Sequence, residues 1–230
     1  MKTNNKIPLI PFLFVVTVYL VAMFFEQQWL LLIFKPLIVA TLLFYFLNVT
    51  GNMFVEFKWW MIFALVFCMM GDTFLIFSRG DEFFFILGLS AFLVGHIFYI
   101  FVYKRIVKNK FISFHLPKTL FVTAYVAFLL YLLIPRADVL WLPVVLYALV
   151  IGMMLAFAFH LTKIGKMGWL IAAGGFLFVI SDSFIALNKF YTPIPQNHWI
   201  VMITYIAAQF LIVEGVTRYI LQRWRFRDVQ

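Results

Sequence analysis

Charge is scarce in this chain. Of 230 residues only 12% are charged, and just nine are Asp or Glu against eighteen Lys and Arg. A soluble globular domain is about one quarter charged and about half apolar, whereas 66% of this sequence is hydrophobic. A soluble fold of this size has no interior large enough to hide that much apolar surface, but a bilayer accepts it on the outside of the fold. Cysteine is nearly absent. The single Cys68 excludes an intrachain disulfide and any CxxC metal or redox motif; lying within an apolar run, it reads as a small residue facing lipid or core. No low-complexity stretch, long linker or clear internal repeat marks a second domain, so residues 1–230 are expected to form one transmembrane domain. The first apolar run lacks a small-residue cleavage pattern and is expected to stay as a span.

What is present is a series of apolar runs. About 20 apolar residues cross the hydrocarbon core as a helix, which places spans at 8–25, 29–48, 58–78, 83–104, 117–135, 139–160, 167–188 and 199–221. Trp29, Trp59, Trp60, Trp141, Trp169 and Trp199 fall near span ends, where an amphipathic ring sits well. The expected fold is therefore all-α: a polytopic membrane protein, a bundle of about eight transmembrane helices.

The net charge of +9 would suggest nucleic acid in a soluble protein. Its distribution gives another reason and leaves no nucleic-acid partner to expect. Fourteen of the basic residues (Lys2, Lys6, Lys58, Lys104, Arg105, Lys108, Lys110, Lys118, Lys163, Lys166, Arg218, Arg223, Arg225 and Arg227) fall on one side of an eight-span layout. Arg79, Arg136 and Lys189 fall on the other, and Lys35 lies inside a span. The positive-inside rule then puts both termini in the cytoplasm, with the basic loops against anionic head groups. The expected location is a bacterial inner membrane, crossed several times.

Ionisable groups within a span are costly and usually face the bundle interior or a water-filled cavity. Here they are Lys35, Asp72, His96, Asp182 and Glu214. Each also has an ordinary reading. Lys35 can snorkel to the interface. Asp72 can form a structural ion pair with Lys35, and Asp182 can likewise belong to a structural pair. His96 can bridge two helices, and Glu214 can pair with Arg218 four residues on. At about 1.5 Å of rise per residue, Lys35, Asp72, Asp182 and Tyr205 each lie about 9 Å from one membrane face, with His96 deeper. Scattered structural residues have no reason to share a level, so a single buried site is expected. Gly71, Gly95, Gly174 and Gly175 would let helices approach closely around it.

Lys35-Pro36, Gly71-Asp72, Gly95-His96 with Tyr99, Tyr147, the run from Gly174 to Ser181-Asp182, and Tyr205 with Gln209 together resemble the YhhN family of lysoplasmalogenase-like membrane proteins. The likeness covers roughly residues 30–215. It implies an eight-helix bundle acting on a lysophospholipid substrate: hydrolysis of the vinyl ether bond of lysoplasmalogens to a fatty aldehyde and a glycerophospho-ethanolamine or -choline.

That chemistry needs a proton donor, a negative charge near the developing cation and a positioned water. Two carboxyl groups in different protonation states can supply these, as in glycoside hydrolysis. Asp72 and Asp182 are the expected catalytic pair. His96 and Tyr99 would orient a carboxyl or the water, and Lys35 would hold the lipid phosphate or tune a carboxylate. Tyr147, Ser181, Tyr205 and Gln209 are the remaining supporting or substrate-binding candidates. No metal or other cofactor is expected. Of His96, His115, His160 and His198 only the first is deep in a span, and no HExxH or HxxxH pattern exists, which argues against a three-ligand zinc site. No GxSxG motif accompanies Ser181, which argues against a serine hydrolase. A small proton-coupled transporter would use the same buried Asp, His and Lys, but the inverted repeats and broken helices typical of carriers are not evident.

Overall fold

The computed structural model describes residues 9–51, 53–78 and 81–227. Among them the chain forms eight α-helices and no strand: α1 (Ile10–Phe24), α2 (Gln28–Thr50), α3 (Lys58–Phe77), α4 (Glu82–Asn109), α5 (Leu116–Leu133), α6 (Trp141–His160), α7 (Lys166–Ala186) and α8 (Asn197–Arg227). The all-α reading and the order of eight helices hold. Helices α2 to α8 are each long and apolar enough to cross a membrane. With 15 residues, α1 rises only about 22 Å, short of a hydrocarbon core of about 30 Å. Lys2, Lys6 and Arg79, counted above toward orientation, lie outside the described residues, as does the side chain of Arg227.

The chain divides into two compact units. One runs to Tyr99 and resumes at Thr217; the other is Ile100–Val216. In the first unit α1 packs on α2 and α2 on α3. Its interior is apolar: Ile38, Val39, Leu42 and Phe46 from α2 and Met61, Ala64, Leu65 and Cys68 from α3 are fully buried. Cys68 is thus a core residue, one of the two positions expected for it. The side-chain-free face of Gly71 admits the ring of Phe92 from α4. A Cβ added there would lie 2.5 Å from Phe92 Cδ2, so the ring keeps this position against α3 because residue 71 has none.

In the second unit α5 packs on α6 and α6 on α7. Helices α7 and α8 meet at Gly174, where a Cβ would lie 2.8 Å from the backbone oxygen of Ala208 and 2.9 Å from the nitrogen of Ile212. Both neighbours are backbone, so neither can swing aside. The two ends of this unit are held differently. At one end, Lys118 Nζ donates to Phe159 O (2.8 Å) and Thr162 Oγ1 (2.6 Å). Beside it, the His115 N–H donates to Nε2 of the buried His160 (2.8 Å). With Nε2 accepting that bond, it is Nδ1 that donates to the Ala156 carbonyl at 2.6 Å. At the other end, α5 and α6 are joined through two 3₁₀ turns, Ile134–Arg136 and Asp138–Leu140, and α7 ends in a π turn, Leu187–Tyr191. An apolar cluster of Leu129, Leu133, Ala137 and Val144, with Ala186, Leu187 and Phe190 packed on it, holds these connections together.

Candidate functional site

The candidates fall into two sets, one in each unit. In the first unit, Lys35 sits on α2, next to the one proline inside that helix, Pro36. Its Nζ lies 4.0 Å from Asp72 Oδ1 on α3. Asp72 is only 1% exposed, while the Lys35 side chain keeps 17%. The lysine is thus not merely snorkelling: its charge is directed at the buried carboxylate. At 4.0 Å the pairing is a charge–charge interaction rather than a short hydrogen bond. It answers the question that a buried acid always raises, namely what offsets its desolvation. His96 and Tyr99, one turn apart on α4, are both fully buried. Gly95 lets the α3 chain come close beside them; a Cβ there would meet Cys68 Sγ at 3.0 Å and Ala64 O at 3.2 Å.

In the second unit, Tyr147 on α6 donates its phenol proton to Asp182 Oδ2 on α7, at 2.6 Å. That length is typical of an O–H group facing a carboxylate. Ser181 donates to Val201 O on α8 at 3.1 Å, so its hydroxyl is committed to joining two helices. Tyr205 stands edge-on to Phe178, with centroids 5.4 Å apart, and its oxygen accepts from Gln209 Nε2 at 3.3 Å. Since Ser181 faces Val201 while Phe178 faces Tyr205, Tyr205 lies about one turn deeper than Asp182. All of Ser181, Tyr205 and Gln209 are buried.

The structure therefore brings together Lys35 with Asp72, Tyr147 with Asp182, and Tyr205 with Gln209. It also adds two residues that sequence reasoning missed. Ser183 donates to Val179 O at 2.6 Å; its one proton being used, the 2.8 Å contact with Tyr125 has Tyr125 of α5 as donor. Residues 181 to 183 thus reach α8, α6 and α5 in turn. The available signal was the run Ser-Asp-Ser in an otherwise apolar helix, together with Tyr125 in the apolar run of α5. Among the described residues no three His, Cys, Asp or Glu side chains gather as a metal ion would require.

Comparison with known proteins covers the same stretch. The YhhN family model matches residues 30–216. The human protein named lysoplasmalogenase TMEM86B is 32% identical over 157 residues, 67% of this chain and 62% of its own length. Human lysoplasmalogenase TMEM86A is 34% identical over 157 residues, 65% of this chain and 61% of its own. The pig (Sus scrofa) lysoplasmalogenase TMEM86B is 30% identical over 155 residues, 67% and 62%. The chain spans about three fifths of the length of these relatives. No solved structure matches it. The family match begins in α2, ends in α8 and takes in every candidate from Lys35 to Gln209; this chain belongs to the YhhN family.

Proposed function

We propose that this protein is a membrane-embedded ether hydrolase that cleaves the vinyl ether bond of lysoplasmalogens, with Asp72 and Asp182 as its acid–base pair. The substrate class comes from the relatives, which are named lysoplasmalogenases. The observation that carries the chemistry is that both acids lie within apolar helices and each has a specific polar partner, Lys35 for Asp72 and Tyr147 for Asp182. Evolution rarely retains a carboxylate in a span without a task for it.

The steps balance without a cofactor. One carboxyl, protonated, gives its proton to the β-carbon of the vinyl ether, and the C=C electron pair forms the new C–H bond. The α-carbon is left as an oxocarbenium ion, which the second carboxylate stabilises by its charge. Water adds to that carbon and loses a proton to the carboxylate formed in the first step. The resulting hemiacetal collapses, its O–H proton passing to the ether oxygen as the C–O bond breaks. The products are a fatty aldehyde and the glycerophospho-alcohol, glycerophosphoethanolamine or -choline, with one water consumed. Lys35 sets a positive charge beside Asp72, and Tyr147 fixes which oxygen of Asp182 faces the substrate. His96 and Tyr99 serve to orient the water or a carboxyl, and Ser181, Tyr205 and Gln209 to support Asp182 or bind the substrate.

The test is aldehyde release by the purified protein in detergent, offered in parallel a lysoplasmalogen, its saturated alkyl ether and the corresponding acyl ester. The proposal requires aldehyde from the vinyl ether alone. Release of fatty acid from the ester, or no aldehyde from the vinyl ether, contradicts it.

A further inference from the structure

Cations are few at the end of the second unit where α5 joins α6 and α7 joins α8. Arg136 and Lys189 are the Lys and Arg residues of these connections, whereas the opposite end carries Lys118, Lys163 and Lys166. A cation on the sparsely charged side of a membrane protein is not needed for topology, and Arg136 is held in place. Its guanidinium carbon lies 4.3 Å from the centroid of the Tyr191 ring, and Nη1 donates to Leu132 O at 3.0 Å. Stacking leaves the edge of the guanidinium exposed, and that edge is the part that forms paired hydrogen bonds to phosphate oxygens. A lysine in the same place would present neither the plane nor the fork.

The surrounding backbone is built to hold this arrangement. Tyr191 closes the π turn, a form that concentrates at functional sites. Both connections carry a non-glycine residue in left-handed conformation, Asp138 (φ 43°) and Gln196 (φ 55°). The Asn188 side chain accepts the Ile194 N–H at 2.8 Å, and the apolar cluster seats Leu187 and Phe190 against Leu133 and Ala137, the neighbour of Arg136. The same helix carries Asp182 nine positions before Tyr191. The level difference is about 13 Å at helical rise. Asp182 thus lies in the apolar layer and the guanidinium at its edge, in the order in which an amphiphile presents a vinyl ether and, one glycerol further, a phosphate.

We propose that Arg136, stacked on Tyr191, is the site that receives the phosphodiester of the lysophospholipid and so sets the position of its vinyl ether relative to Asp182. This rests on the hydrolase reading above. Lys35 is engaged with Asp72, which leaves the phosphate to another cation.

The test compares two substrates, a lysoplasmalogen and the 1-alkenylglycerol that lacks its phosphate, on the wild-type protein and on R136Q, R136K and Y191L, each checked by thermal scan in detergent. The measured quantity is the ratio of kcat/KM for the phospholipid to that for the alkenylglycerol. R136Q is expected to lower that ratio about tenfold, the scale of one exposed charge-assisted contact, mainly through KM. R136K is expected to recover only part of it, and Y191L to lower it less than R136Q. An unchanged ratio in R136Q, while the wild type releases aldehyde, overturns the proposal and leaves the hydrolase reading intact. A wild type that releases aldehyde from neither lipid overturns the hydrolase reading, and the proposal with it.

Discussion

Replacing Tyr147 by Phe deletes one oxygen and leaves the ring. The packing of α6 on α7 is kept, and the 2.6 Å hydrogen bond to Asp182 Oδ2 is lost. A hydrogen bond to a charged group contributes about 1.5–3 kcal/mol. If the phenol is needed to set the geometry of the Asp182 carboxyl in the transition state, the whole of that difference falls on kcat/KM. At about 1.4 kcal/mol per factor of ten, Y147F should lower kcat/KM for lysoplasmalogen about ten- to a hundredfold. The assay is aldehyde release by the purified variant in detergent, read against the wild type at several substrate concentrations. Because Tyr147 orients a catalytic group rather than holding the lipid, the loss should lie in kcat with KM little changed. A thermal scan guards against misfolding, and Y147L, which also removes packing, should be less stable than Y147F. A kcat/KM for Y147F within twofold of the wild type would refute the reasoning, since the 2.6 Å contact of Asp182 would then have no part in the reaction.

Two further outcomes follow from the same geometry. The variant G174A puts a methyl group 2.8 Å from Ala208 O, so α7 and α8 must separate; a destabilisation of about 1–3 kcal/mol is expected by denaturation in detergent, and an unchanged midpoint would contradict the close approach. A double-mutant cycle on K35Q and D72N, read as stability, should give a coupling of about 0.5–3 kcal/mol; additive effects would show that the 4.0 Å pair is incidental.

How much of this was legible in the sequence depends on the kind of signal. Hydrophobic run length found the helices because only a helix satisfies its backbone in lipid. It found their ends less well. Helix α8 runs to Arg227 rather than stopping at 221, because Arg218, Arg223 and Arg225 end the apolar stretch without ending the helix: charged residues are good helix formers once outside the hydrocarbon. The π turn after Ala186 was not foreseen, since a widened turn has no composition of its own. Single residues were legible in proportion to their cost. A buried Asp in a span announces itself, and the Lys35–Asp72 pairing was among the readings for both residues. Tyr147 entered through family likeness alone, and Tyr125 and Ser183 not at all, because Tyr and Ser are common in apolar helices and only the packing of α5 and α6 on α7 shows which of them meet. Arg136 was visible only as a charge on the sparse side; its stacking on Tyr191 depends on two connections far apart in sequence.

The central claim is that two carboxyl groups perform the hydrolysis, and isosteric neutralisation tests it most directly. Purified D72N and D182N, each retaining helical content and a cooperative thermal transition in detergent, are predicted to release no aldehyde from lysoplasmalogen above the no-enzyme rate. Turnover by either variant at a rate near the wild type would contradict the account and remove that aspartate from the mechanism.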